Sequence, residues 1–204
     1  MNSPKTFFPS PAHWCVLLLL LAFTGGTWGI SNAQGVGGGV TAGFTTSQID
    51  GDDWGGYNFW GYQLGGFAYY DFNDKLALQV EIATSLRGSR EAGIGRIALN
   101  FIDVPILLRY RKSLNSGDLD VESGLSGNLL LAGRTGLRPF TFDQTDLFRR
   151  FSTEFHLGLA YYFVENVGLF ARWSIGLTNL QSNAQLRPWL TIHNFTAGIR
   201  LRFK

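Results

Sequence analysis

Cysteine is nearly absent. The single one among 204 residues, Cys15, lies inside an apolar run near the N-terminus, which leaves no disulfide framework to build on. Charge is scarce too, at 16% of residues against roughly 25% in ordinary soluble domains. The 17 basic and 15 acidic side chains leave a formal charge of +2. The arginines are scattered through apolar runs and form no stripe, which excludes a nucleic-acid partner. Beyond the N-terminal segment no stretch approaches 18 consecutive apolar residues, so no spanning helix is expected. Residues 37–39 and 93–95 are glycine-rich, but no helix is expected after either, so neither is a nucleotide loop. The acidic run Asp50-Gly51-Asp52-Asp53 lacks the spacing of a calcium-binding loop. No metal or other cofactor is expected.

What is present is aromatic and small. Aromatics make up 15% of the chain and glycine contributes 26 residues, while mean hydropathy is close to zero. That balance fits strands with one apolar and one polar face. The N-terminus has the plan of a cleavable signal peptide over residues 1–33: Lys5 as the basic segment, Cys15–Phe23 as an apolar stretch too short to span a bilayer, then Ser31 and Ala33 before a cut at Gln34. Cys15 precedes the cut rather than standing at it, which argues against lipidation. The mature chain, 34–204, then has no cysteine and 16 basic against 15 acidic side chains, since only Lys5 is lost.

From residue 36 onward the pattern has period two. At the C-terminus Phe195, Ala197, Ile199, Leu201 and Phe203 share one face, and Thr196, Gly198, Arg200, Arg202 and Lys204 the other. Eight such segments are predicted, at 36–47, 59–72, 75–88, 96–111, 118–133, 150–164, 166–179 and 191–204. Most are long enough to cross a bilayer at a tilt. The fourth is imperfect. Leu99 and Phe101 occupy one phase, and Val104, Ile106, Leu108 and Tyr110 the other. A β-bulge near 100–103 is expected, with Pro105 adding local distortion. Short connections at 73–74, 112–117 and 165–166 alternate with generally longer ones at 48–58, 89–95, 134–149 and 180–190. The expectation is an all-β protein: an eight-stranded antiparallel up-and-down transmembrane β-barrel in the bacterial outer membrane, with both termini in the periplasm. Aromatics near the strand ends, among them Tyr69, Tyr70, Phe72, Tyr110, Tyr162, Phe59, Trp60 and Phe148, are expected to form two interfacial girdles.

Such a barrel is just wide enough for side chains to fill. The inward faces should carry Glu81, Arg87, Asp103, Arg109, Arg111, Asp120, Glu122, Glu154, His156, Arg172, Arg200 and Arg202. With both signs present, paired charges plugging the lumen are expected rather than an open pore. His156 lies inward with Glu154, and no nucleophile with a positioned base is apparent, so no enzyme activity is expected. Arg134, Arg138, Arg149 and Arg150 flank a Phe-rich external loop and could meet lipopolysaccharide phosphates through charge-assisted hydrogen bonds.

Several segments carry a family resemblance: residues 37–44, residues 65–70 running into 73–79, 101–110 centred on Val104-Pro105, 158–162, 176–179 and 198–203. In this order they resemble the PorT-like outer-membrane β-barrel proteins across nearly all of the mature chain. One departure is Lys204, which follows Phe203 where many outer-membrane barrels end on the aromatic. The resemblance implies no catalytic residues. Three readings of function stand open: a structural or accessory envelope component acting in assembly, secretion or adhesion through its external loops; a barrel that binds or transports a small solute; and a soluble periplasmic lipocalin-like barrel with the faces reversed. Outer-membrane lipids, lipopolysaccharide and other envelope proteins are the expected partners.

Overall fold

A computed structural model describes residues 35–136, 140–182 and 189–203. The expected signal peptide, Arg138 and Lys204 lie outside the described residues. The strands are β1 (Val36–Asp50), β2 (Phe59–Asp71), β3 (Leu76–Glu91), β4 (Gly95–Leu114), β5 (Gly117–Gly136), β6 (Phe142–Asp143), β7 (Phe151–Val164), β8 (Val167–Gly176) and β9 (Thr191–Phe203). Among the described residues helix is confined to a single 3-10 turn, Thr145–Leu147.

Eight strands form the barrel wall, each antiparallel to the next, and β9 returns to β1 from Gly38↔Phe203 to Asp50↔Thr191. Closure leaves no edge with unpaired backbone groups. The two-residue β6 pairs only with the end of β5. One end of the barrel has short turns. There the Asn73 side chain accepts hydrogen bonds from the N–H groups of Lys75 and Leu76, both 2.9 Å, fixing the β2–β3 turn. The other end carries the longer connections, with one exception. Residues 89–95 are not a long loop: β3 and β4 run on until only 92–94 separate them.

The two faces of the wall are sharply divided. Outward-facing Phe44, Leu64, Ile82, Ile106, Leu125, Leu159, Leu169 and Ile199 are all exposed, Phe44 at 76%. In water each would forgo ~1.5–3 kcal/mol of burial. A continuous band of this kind is a lipid-facing surface. The charged face points into the lumen, opposite to the arrangement a lipocalin-like barrel requires.

Small residues on β1 make room for rings inside. Gly39 faces inward opposite Phe67, and a Cβ there would stand 2.4 Å from Phe67 Cζ and 2.1 Å from the Leu201 carbonyl oxygen. Beside it, Gly43 and Gly198 are register partners at the β1–β9 seam, with Phe170 within 3.2 Å of where a Gly43 Cβ would lie. The missing side chains let rings lie against the seam.

The fourth strand departs from expectation. The inward side of β4 keeps one phase from Leu99 to Arg109, so Leu99 and Phe101 are inward apolar residues, not signs of a slip. The register does shift against Asn100/Phe101, but the extra residue is Leu131 on β5, where the inward phase changes. Pro105 has no N–H to give. The β3–β4 ladder skips two pairs there and resumes at Ala83↔Asp103 in the same register. Four of the aromatics expected in girdles lie inside instead: Phe59, Tyr69, Phe148 and Tyr162 are all buried.

Candidate functional site

The lumen is the site that the wall constructs. Five buried arginines, Arg87, Arg109, Arg172, Arg200 and Arg202, share it with five buried carboxylates, Glu81, Asp103, Asp120, Glu122 and Glu154. They come from β3, β4, β5, β7, β8 and β9, and the inward phase of each strand aims them at one another.

They meet in three tiers. Nearest the short turns, Asp120 accepts from Arg202 and lies 3.2 Å from Arg111 and 3.5 Å from Arg109, both of which also approach Asp71. The Arg202 guanidinium lies over the Tyr162 ring and that of Arg109 over Tyr69. In the middle tier Arg172 bonds Glu81 at 2.7 and 2.9 Å and Glu122 at 2.7 and 2.9 Å. Arg200 adds a 2.8 Å bond to Glu122 and lies 3.5 Å from Glu81. The Phe67 and Phe170 rings that fill the glycine seam lie beneath Arg200. In the third tier Arg87 spans Glu154, at 2.5 and 2.6 Å, and Asp103, at 2.6 Å, with Ser85 and Asn194 bonding the same carboxylates. Removing an ion from water costs several kcal/mol unless partners replace the solvent. Here nearly every carboxylate has two cationic partners or one bidentate one.

His156 is buried beside these tiers and its Nδ1 lies 2.7 Å from Ser174 Oγ, a pair that the sequence did not disclose. Both side chains are sealed in the lumen. Ser126, Asn128 and Ser152 line the β5–β7 wall near the third tier and make no side-chain hydrogen bonds among the described residues. Among the described residues no group of three or more His, Cys, Asp or Glu is placed to hold a metal ion.

Toward the long-loop end the lumen changes character. Ile49, Leu99, Phe101, Leu130, Phe148, Leu180, Leu190 and Ile192 form a buried apolar cluster across it. Phe101 is the floor, with Arg87 4.6 Å from its ring centre. The loops supply Phe148, Leu180 and Leu190. Leu180 N–H donates to Leu190 O at 2.8 Å, Arg149 N–H to Leu180 O at 2.7 Å, and the Asn179 side chain accepts from the N–H groups of Gln181 and Leu190. This cap was not anticipated. Its signal was the inward parity of Leu99 and Phe101, which reads as a bulge until both neighbouring strands are placed.

Outside the lumen, Arg149 and Arg150 line a surface groove of about 480 Å³ with Phe148 and Phe151. Arg149 Nε donates to Gln181 O at 3.1 Å, and Arg150 stands 3.7 Å from Asp146. Arg134 lies across the β5–β6 pair from Asp143. Hydrogen bonds from Thr145, with weaker help from Arg134 and Arg150, hold the Asp143 carboxyl below its ordinary value. Arg134 and Arg150 thus lie near carboxylates of their own loop region, and Arg149 is held by a backbone carbonyl.

A family model described as "Outer membrane protein beta-barrel domain" matches residues 31–182. No curated protein matches the sequence. Among solved structures, the attachment invasion locus protein Ail of Yersinia pestis is 17% identical with a TM-score of 0.52, covering 83% of this chain and 99% of its own. Neisserial surface protein A is 17% identical with a TM-score of 0.54, covering 83% of this chain and all of its own. Ail has also been solved with the heparin analogue sucrose octasulfate, at 13% identity, a TM-score of 0.50 and coverage of 83% and 99%. At these identities the likeness is one of fold.

Proposed function

The chain belongs to the outer membrane protein beta-barrel domain family, and from that premise we propose that it is a plugged barrel serving the bacterial envelope through its external loops, in assembly, secretion or adhesion. Residues 1–33 are its cleaved signal peptide, both termini face the periplasm, and within the family it belongs with the PorT-like proteins. The barrel has no catalytic role. The observation that carries this reading is the lumen: three tiers of paired charge under an apolar cap leave the loops as the surface free to act.

The mature chain has no cysteine, so orientation is directly testable. Ala92→Cys, in the β3–β4 hairpin, is expected to react with an impermeant maleimide on intact cells, and Asp74→Cys only after lysis. The reverse pattern contradicts the reading. The loop arginines are proposed to contact lipopolysaccharide. Changing Arg134, Arg138, Arg149 and Arg150 together to Gln is expected to weaken lipopolysaccharide binding, and unchanged affinity rules that contact out.

One observation favours a second reading. Ser126, Asn128 and Ser152 present polar atoms to the lumen that have no side-chain hydrogen bond among the described residues. A small polar solute passing through, or held there, would use them. Conductance across a bilayer separates the two readings.

A further inference from the structure

The charged tiers of the lumen are not equally balanced. In the middle tier Arg172 and Arg200 face Glu81 and Glu122, two against two. In the third tier Arg87 alone faces Asp103 and Glu154. No other cation among the described residues forms an ion pair with either carboxylate. His156, two residues along β7 from Glu154, bonds Ser174 instead. The remaining hydrogen bonds to the pair, from Ser85 and Asn194, are neutral. The tier therefore holds one negative charge in excess, although Asp103 is 5% and Glu154 0% exposed. A buried charge without a counter-charge is strongly destabilising.

The wall beside that tier supplies oxygen. Asn128 on β5 is the register partner of Asp103 on β4 and of Ser152 on β7, and Ser126 is the partner of Glu154. Such partners lie ~4.5–5.5 Å apart at Cα, and all five side chains take the inward phase. The two carboxylates thus stand on the strands that flank β5, beside Ser126 Oγ, Asn128 Oδ1 and Ser152 Oγ. Those three oxygens are buried and take part in no hydrogen bond among the described residues. Toward the loops the next inward residues, Phe101 on β4 and Leu130 on β5, belong to the apolar cap.

We infer that this cluster binds one monovalent metal cation of sodium size, held by Ser126, Asn128, Ser152 and the free lone pairs of Asp103 and Glu154. Hard cations take carboxylate, amide and hydroxyl oxygens, and an ionised carboxylate oxygen can accept more than one partner. One excess charge matches one monovalent ion, whereas a divalent ion would leave the tier positive. A neutral solute would satisfy the oxygens and leave the charge. The bound ion ties β4, β5 and β7 together at the floor of the cap. It uses the three polar side chains of the second reading above, but needs no path through the barrel.

The test starts from protein purified from outer membranes, unfolded in urea and refolded in sodium chloride or in N-methylglucamine chloride at equal ionic strength. N-methylglucamine is too large for the cluster. Native mass spectrometry after desalting counts the retained sodium, and urea titration gives the unfolding constant in each salt. Wild type refolded in sodium is expected to retain one sodium ion. With sodium at about ten times its dissociation constant, the unfolding constant is expected to be about tenfold lower than in N-methylglucamine. Glu154→Gln leaves Arg87 facing Asp103 alone, one against one. That variant, checked for folding by its heat-dependent gel mobility, is expected to retain no sodium and to unfold alike in both salts. The S126A/S152A variant keeps the charge but lacks two ligand oxygens, and is expected to bind sodium about tenfold more weakly. No retained sodium in wild type, with equal unfolding constants in the two salts, overturns the inference and assigns the excess charge to a proton. Sodium retained by Glu154→Gln as by wild type overturns it as well. Neither failure bears on the maleimide labelling or on the conductance that tests the plugged lumen.

Discussion

The two ends of the lumen use the same inward positions in opposite ways. From the short turns to Phe101 the lumen carries the charged tiers, and most of their members are held by partners from two other strands. Above Phe101 the buried cluster is aliphatic and aromatic, and part of it comes from loops. The lower end gains specificity, since a guanidinium can satisfy two carboxylates only in one arrangement of strands. The upper end gains closure, since apolar packing excludes water without demanding one geometry.

That contrast can be broken from either side. The largest effect is expected at the charged end. Arg172→Met leaves Glu81 and Glu122 facing each other with only Arg200 between them, at a cost of ~3–5 kcal/mol. Urea unfolding in lipid vesicles checks this, and a loss below about 1 kcal/mol would mean that solvent reaches the tier. In the cap, Leu180→Ala is expected to cost ~2–3 kcal/mol, at the low end for buried leucine because loops can settle into the gap. Its more telling readout is faster exchange of the Leu190 and Gln181 amides, with the Arg87 tier undisturbed. At the seam, Gly39→Ala forces Phe67 and the β9 backbone apart, for ~1–3 kcal/mol, and the folding yield of refolded barrel measures it.

The smallest expected effect lies outside the lumen. The Asp143 carboxyl is held low by Thr145, so its contribution is present above the unfolded value and lost as pH falls through the folded one. Acidification is expected to speed exchange of the Gly133 amide, which donates to Thr145 Oγ1. An unchanged rate across the acid range would detach that hairpin from Asp143.

Strand number, phase and the sidedness of each face were legible because a strand repeats every two residues and a lipid-facing wall tolerates almost no charge. Which charges would meet was not. Whether Arg87 reaches Glu154, 67 positions away, depends on the stagger between strands around the barrel, and periodicity carries no information on stagger. The cap stayed hidden because Leu99 and Phe101 break the polar-inside rule that Asp103 and Arg109 obey on β4, and because Leu180 and Leu190 come from a loop. The extension of β3 and β4 was missed for a simpler reason. Residues 89–95 look like a loop, with two glycines around Ile94, yet the strands continue through most of it.

The most direct test of the account is single-channel recording of the purified protein in planar bilayers. The plugged lumen is expected to give no steady conductance in wild type, and brief openings only when the cap is weakened, as in Leu180→Ala. A steady, well-defined conductance in wild type would contradict the account and favour a solute path along Ser126, Asn128 and Ser152.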